Sequence, residues 1–157
     1  MQANMLDDRD RALLSRLQRD ADVAVAELAE QVNLSPSACA RRIARLRAEG
    51  YLTRLVARLD RRRMGLPTTV FVVVKTAQHS AEWLEQFRAA LADVPEIIEA
   101  HRLTGNFDYI LKIVLPNVEH YDAIYKKLIQ RLPLFEVSAY ISMETMKHDT
   151  PLPVTYG

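Results

Sequence analysis

The spacing of apolar residues changes character at Gly65-Leu66-Pro67, and that change divides the chain before any motif is considered. Ahead of it, apolar side chains recur at three- and four-residue intervals. Behind it, short β-branched and alternating runs lie between turn signals. No single bundle or sheet satisfies both patterns, so the expectation is an α+β chain of two small domains: residues 1–53, a hinge over 54–66, and residues 67–157. With 157 residues, 49% of them hydrophobic, the chain has enough apolar material for a core in each part.

The first part reads as three helices. Asp7 or Asp8 can cap a helix with Leu13, Leu14 and Leu17 on one face. A second carries Ala24, Val25, Leu28, Ala29 and Val32. It stops at Asn33, a residue that tolerates the left-handed backbone of a helix end. Ser35 is a good N-cap and Pro36 suits the first helical position, so a third helix begins after a tight turn and runs to about Glu49, with Gly50 as its stop. Within it Cys39, Ile43 and Leu46 share the inward face, while Ala38, Arg41, Arg42 and Arg45 form another stripe.

A short turn followed by a helix with an arginine-lined face is the pattern of a recognition helix lying in the major groove of duplex DNA. Arginine suits that role because its planar fork bonds guanine edges and also neutralises phosphate. Ser35 and Ser37, at the helix N-terminus, can hold a phosphate oxygen. The charge distribution agrees. Residues 1–63 hold 13 Arg and no Lys against 9 acids, and between Arg41 and Arg63 there are 9 Arg against Glu49 and Asp60 alone. Residues 64–157 hold 8 bases against 11 acids, so only the head is cationic.

The second part reads as βαββαβ. Thr68 to Lys75 is a strand, and Ser80 opens a helix carrying Trp83, Leu84, Phe87 and Leu91. Ile97 to Leu103 and Phe107 to Leu115 are strands joined by a hairpin turn at Thr104-Gly105-Asn106. Asn117 can cap a second helix with Tyr121, Ile124, Leu128 and Leu132, and Val137 to Lys147 closes the series. That order defines a ferredoxin-like fold, with both helices on one face of an antiparallel sheet. In the first strand Val70, Val72 and Val74 face one way and Phe71 and Val73 the other, and in the last strand Val137, Ala139, Ile141 and Met143 oppose Ser138, Tyr140, Ser142 and Met146. An open face with apolar residues on it is expected to be covered by a second copy, giving a two-fold dimer with two recognition helices.

Other chemistry is weakly signalled. Cys39, on the inward face, reads as a core residue. The four histidines are not paired at ligand spacing, so neither a metal nor a cofactor is expected, and no phosphate-binding glycine motif or nucleophile–base spacing points to an enzyme. No apolar run is long enough to span a membrane and the N-terminus lacks an apolar signal core, so a cytoplasmic, nucleoid-associated protein is expected.

The chain resembles the leucine-responsive/asparagine (Lrp/AsnC) family of transcription regulators over nearly its whole length. The residues that carry the likeness are Leu6-Asp7 with Asp10, Leu28-Ala29, Leu34-Ser35-Pro36-Ser37, Arg42 with Arg45-Leu46 and Gly50, Thr104 through Tyr109, and Met146-Lys147. The resemblance implies a winged-type helix-turn-helix head, a hinge strand near Tyr51 to Leu59, and dimers that often assemble into octameric discs around which DNA can wrap. It also implies a free amino acid as effector, bound between dimers near the hairpin turn. By position, Leu103, Thr104, Gly105, Phe107, Asp108 and Tyr109 fall in that region, and Ile141, Ser142 and Met143 match a second lining segment. Asn106 sits in the same turn, where many relatives carry Asp. Turn N–H groups or Thr104 can hold a carboxylate there, and Asp108 can pair with an ammonium group. The competing expectation is an architectural protein that wraps DNA without an effector.

Overall fold

The structure, a computed structural model, describes residues 6–156. The domain boundaries expected above also take in residues 1–5 and 157, which lie outside the described residues. The chain divides into two compact units. One reaches Ala57 and takes in the C-terminal segment from Lys147; the other is Arg58–Met146.

The first unit is built from α1 (Asp8–Leu17), α2 (Val25–Gln31) and α3 (Pro36–Ala48). Asp7 caps α1 in a reciprocal arrangement: its carboxylate accepts the Asp10 N–H at 2.8 Å, while the Asp10 carboxylate accepts the Asp7 N–H at 3.2 Å. The core joins Leu13, Leu28, Ala29, Val32, Cys39 and Ile43, and a second cluster joins Leu6, Leu14 and Leu46. Ala24 and Val25, expected to face inward, are exposed at the start of α2; the buried stripe begins at Leu28.

Residues 52–60, over which a hinge strand is expected, pair with no strand of the same chain among the described residues. Leu55, Val56 and Leu59 along it are exposed. The C-terminal tail, placed with the second domain on sequence grounds, packs on the head instead. Gln18 and Leu152 exchange hydrogen bonds in both directions, Arg11 donates to the Val154 carbonyl, and Val154 packs on the Leu6–Leu14–Leu46 cluster.

The second unit runs β1 (Thr68–Lys75), α4 (Ala81–Ala92), β2 (Ile97–Arg102), β3 (Tyr109–Leu115), α5 (His120–Arg131) and β4 (Glu136–Ile141). Its antiparallel sheet has the order β2-β3-β1-β4, as the ferredoxin-like fold requires. Val70, Val72 and Val74 of β1, with Leu111 and Ile113 of β3, pack against Trp83, Phe87, Ile124 and Leu128 of the two helices. Phe71 and Val73 lie on the opposite face, half-buried. Phe71 is flanked by Lys112 of β3 and Tyr140 of β4, and Lys112 pairs with Glu99 of β2 at 2.7 Å.

Two connections differ from the sequence expectation. The β2–β3 link is a six-residue loop over 103–108, closed by the Leu103 N–H on the Asp108 carbonyl at 2.8 Å, not a tight turn at Thr104-Gly105-Asn106. The last strand ends at Ile141, not Lys147. β1 begins at Thr68 and Val70 already pairs with Ile141, so little of β1 is left for later residues to pair with; the final bond is Ser142 N–H to Thr69 O.

Candidate nucleic-acid interface and effector region

The α2–α3 turn is locked by its own backbone. Asn33 takes φ 54°, and the Asn33 and Leu34 N–H groups return to the Glu30 and Ala29 carbonyls at 3.2 and 2.9 Å. This doubly bonded ending fixes the angle at which the chain leaves α2. Ser35 then caps α3, accepting the Ala38 N–H at 3.2 Å, with Pro36 in the first turn. The far end closes in the same way, with Gly50 at φ 82° and the Gly50 and Tyr51 N–H groups on the Arg47 and Leu46 carbonyls. Cys39, Ile43 and Leu46 face inward as expected, and burial pushes the Cys39 thiol up.

The arginine stripe divides. Arg41 is exposed and makes no ion pair among the described residues, and Ser37 is exposed one turn earlier, 3.3 Å from the Ser35 hydroxyl. Ala38 is half-buried beside them. Arg42 and Arg45 instead turn toward α1. Arg42 donates to Asp7 at 2.6 Å and to Asp10 at 2.8 Å, while Arg45 donates to the other Asp10 oxygen at 2.5 Å and to Glu49 at 3.0 Å. Asp10 is 1% exposed, whereas the two arginine side chains remain about a quarter exposed.

Burial pushes the Asp10 carboxyl up. Hydrogen bonds from Arg45, from Arg42 and from the Asp7 backbone outweigh that and hold it below its ordinary value. Asp7 and Asp10 raise Arg42 in turn, and Asp10 raises Arg45. The expectation of one uniform outward guanidinium row is corrected accordingly: Arg42 and Arg45 clamp α3 to the start of α1, while Ser37, Arg41 and Arg47 are exposed. Sequence reasoning did not give Asp10 this role. The capping spacing from Asp7 was the visible signal, but not that the carboxylate faces α3.

The effector residues carried over by resemblance do not form one cluster in a single chain. The 103–108 loop lies beside the end of β1, where the Asp108 N–H donates to the Val74 carbonyl at 2.9 Å. Ile141 and Ser142 lie beside the start of β1, at Val70 and Thr69. Five residues of strand separate the two, about 17 Å. Leu103, Thr104, Gly105 and Asn106 are exposed and Phe107 is half-buried; Ile141 and Met143 are exposed, and the half-buried Ser142 hydroxyl donates to the Glu144 carbonyl at 3.1 Å.

Two of these residues are engaged by the fold. The Asp108 carboxylate accepts the Thr76 N–H at 2.8 Å, which fastens the loop to the end of β1. Tyr109 is a core residue, because its register opposite Val74 turns it to the helix face; its ring centroid lies 4.5 Å from that of Phe87 and 5.5 Å from that of Trp83.

A two-helix turn presenting a capped helix, joined in one chain to a ferredoxin-like unit, defines a DNA-binding regulator with a separate sensing domain. The known proteins agree. A winged helix-turn-helix DNA-binding model matches residues 6–53, and the Lrp/AsnC ligand-binding domain model matches residues 69–152. The chain belongs to the Lrp/AsnC family of transcription regulators. It is 57% identical to the HTH-type transcriptional regulator Zrp of Zymomonas mobilis, over 97% of this chain and 99% of that one. Among solved structures it is similar to an AsnC family regulator from Agrobacterium tumefaciens, with TM-score 0.92, 41% identity, and 96% and 99% of the two chains covered. It is also similar to a transcriptional regulator from Neisseria meningitidis in complex with L-Met, with TM-score 0.91, 27% identity, and 97% and 99% covered. Among the described residues no helix is long and apolar enough to cross a membrane.

Proposed function

We propose that α3 reads duplex DNA through Ser37, Ala38 and Arg41, with Ser35 and the adjacent N–H groups at a phosphate, and that Arg42 and Arg45 hold the helix at the required angle. The observation that carries this is the division of the stripe: Arg41 stays exposed beside two arginines already committed to Asp10. Two copies closing over the open sheet face, around Phe71, Val73 and Tyr140, present two such helices to a pseudo-palindromic site. Higher assembly, to an octamer, brings the 103–108 loop of one copy toward the Ile141–Met143 segment of another.

A free amino acid bound at that junction favours one assembly over another and thereby changes the DNA geometry the protein prefers. Separation of the two lining segments within one chain supports a site completed between copies. The engagement of Asp108 with Thr76 favours the second reading, an effector-independent DNA-wrapping protein, because that carboxylate is already partly satisfied.

Competition between DNA upstream of the protein's own gene and random duplex, with and without each amino acid, tests both readings. Preference for the upstream DNA that shifts with at least one amino acid is the expected result. Equal binding to both duplexes would remove the sequence-specific reading, and preference unmoved by any amino acid would select the effector-independent one.

A further inference from the structure

A second cationic feature lies outside α3. Residues 60–65 make one tight helical turn fixed at both ends. The Asp60 carboxylate accepts the Arg62 and Arg63 N–H groups at 2.9 and 3.2 Å, and the Met64 N–H reaches the Asp60 carbonyl at 3.0 Å. At the exit Gly65 adopts φ 76°, with the Gly65 and Leu66 N–H groups on the Arg62 and Arg61 carbonyls at 3.0 and 2.8 Å. The Arg61 guanidinium donates to the Thr69 hydroxyl and so ties the turn to the first strand. A turn pinned in this way fixes the directions in which its side chains leave the backbone, so no backbone ordering is left to be lost on binding.

Those outward side chains are Arg62 and Arg63, both exposed and neither in an ion pair among the described residues. Asp60 is the one acid between Glu49 and Glu82, and one of its oxygens already accepts both backbone N–H groups. The turn therefore shows two exposed guanidinium groups that no acid pairs with among the described residues.

We propose that this turn is a second contact surface for the phosphate backbone of duplex DNA, with Arg62 and Arg63 as the phosphate ligands. The proposal rests on the DNA-reading function of α3 and adds a contact that carries no sequence information. Arginine forks fit phosphate oxygens in two-bond geometry, and side chains on a one-turn support cannot reach deep into a groove, so they position the duplex and do not read it. DNA is the polyanion this chemistry fits because the same chain holds a DNA-binding head only ten residues upstream, which makes the duplex locally concentrated at the turn. A bilayer surface is the weaker match: two arginines contribute only about 1 kcal/mol each there, and the exposed Leu59 and Met64 beside them are two single side chains, not an amphipathic helix or a lipid anchor.

The test uses the full-length chain and the double variant Arg62→Gln/Arg63→Gln. Neither side chain holds the fold together, so the melting temperature should match that of the parent. The magnitude of the slope of log affinity against log salt should fall by about two for each protomer engaged, with affinity at moderate salt down about three- to tenfold. The ratio of affinities for upstream and random duplex should not move. Extending a short duplex by about one helical turn at each end should strengthen parent binding but not variant binding.

A variant with the parent's salt slope and affinity would overturn the proposal. So would a variant whose DNA binding is intact but whose binding to phosphatidylserine vesicles is lost, which would give the surface to a membrane. Arg41→Ala, run alongside, separates the two readings. If Arg41→Ala keeps the parent's upstream-to-random ratio, the reading of α3 fails, while the salt slope of the double variant still decides the role of the turn.

Discussion

In the head, helix α3 is held to α1 by a small apolar contact and by a buried carboxylate between two guanidinium groups; in the ferredoxin-like unit the helices are held to the sheet by an aromatic and aliphatic layer around Trp83, Phe87 and Leu111. The difference follows from size. Three short helices bury few apolar side chains, so polar contacts fix the angle of the helix that matters, whereas a four-stranded sheet with two helices buries enough to align itself. For function, the lesson is that an arginine on a recognition helix is not by its type a DNA contact. Arg41 and Arg42 are adjacent in sequence, yet one is exposed and the other is committed to the fold.

The largest effect is expected at Trp83, which is 2% exposed and stacked on Phe87 at 5.0 Å. Trp83→Ala should destabilise the ferredoxin-like unit by about 3–5 kcal/mol, read by denaturant unfolding. Hydrogen exchange should show α1–α3 protection largely retained; a head that opens equally would mean that the units do not have separate cores.

Next in size is Asp10→Asn, expected to cost about 3 kcal/mol. That is the low end for a broken buried pair, because the arginines stay partly exposed and keep Asp7 and Glu49. The same lock sets an acid dependence. The folded Asp10 carboxyl lies below its ordinary value, so its stabilisation is complete above the unfolded carboxylate range and is lost as pH falls through the folded value. Thermal melts of the parent should therefore lose head stability on acidification below about pH 4, and Asp10→Asn should flatten that loss. An equally steep acid loss in the variant would assign the effect to other carboxylates.

A smaller effect is expected at Ser35, where Ser35→Ala removes the N-cap of α3 for about 1 kcal/mol. Ser80→Ala makes the matching change at α4, where the Ser80 hydroxyl accepts the Trp83 N–H at 3.1 Å. Paired melts of the two variants show whether the polar head is the more sensitive of the two units to the loss of one cap.

What was legible in the sequence was local. The caps at Asp7, Ser35 and Ser80, the left-handed Asn33, the inward Cys39–Ile43–Leu46 stripe and the span Thr68–Lys75 all follow from short-range chemistry, and the structure has them where the sequence places them. What failed needed a partner distant in sequence. Helical spacing says that Arg41, Arg42 and Arg45 share a side, but not that α1 covers part of it with Asp10. Alternation along the last strand continues past Ile141, but the neighbouring strand offers it little further pairing. Tyr109 looked like a site residue by position in a motif, and its register opposite Val74 turns it inward. The tail carries no periodic signal, so its docking through Gln18, Leu152 and Val154 was invisible.

The division of labour along α3 is tested most directly by the upstream-to-random DNA affinity ratio of Arg41→Ala, measured on protein of parental melting temperature. Arg41 makes no ion pair among the described residues, so its loss should leave stability within about 0.5 kcal/mol. The ratio should fall by about five- to 150-fold, the equivalent of about 1–3 kcal/mol for one lost base contact. A ratio equal to the parent's would contradict the assignment of the exposed arginine to base reading.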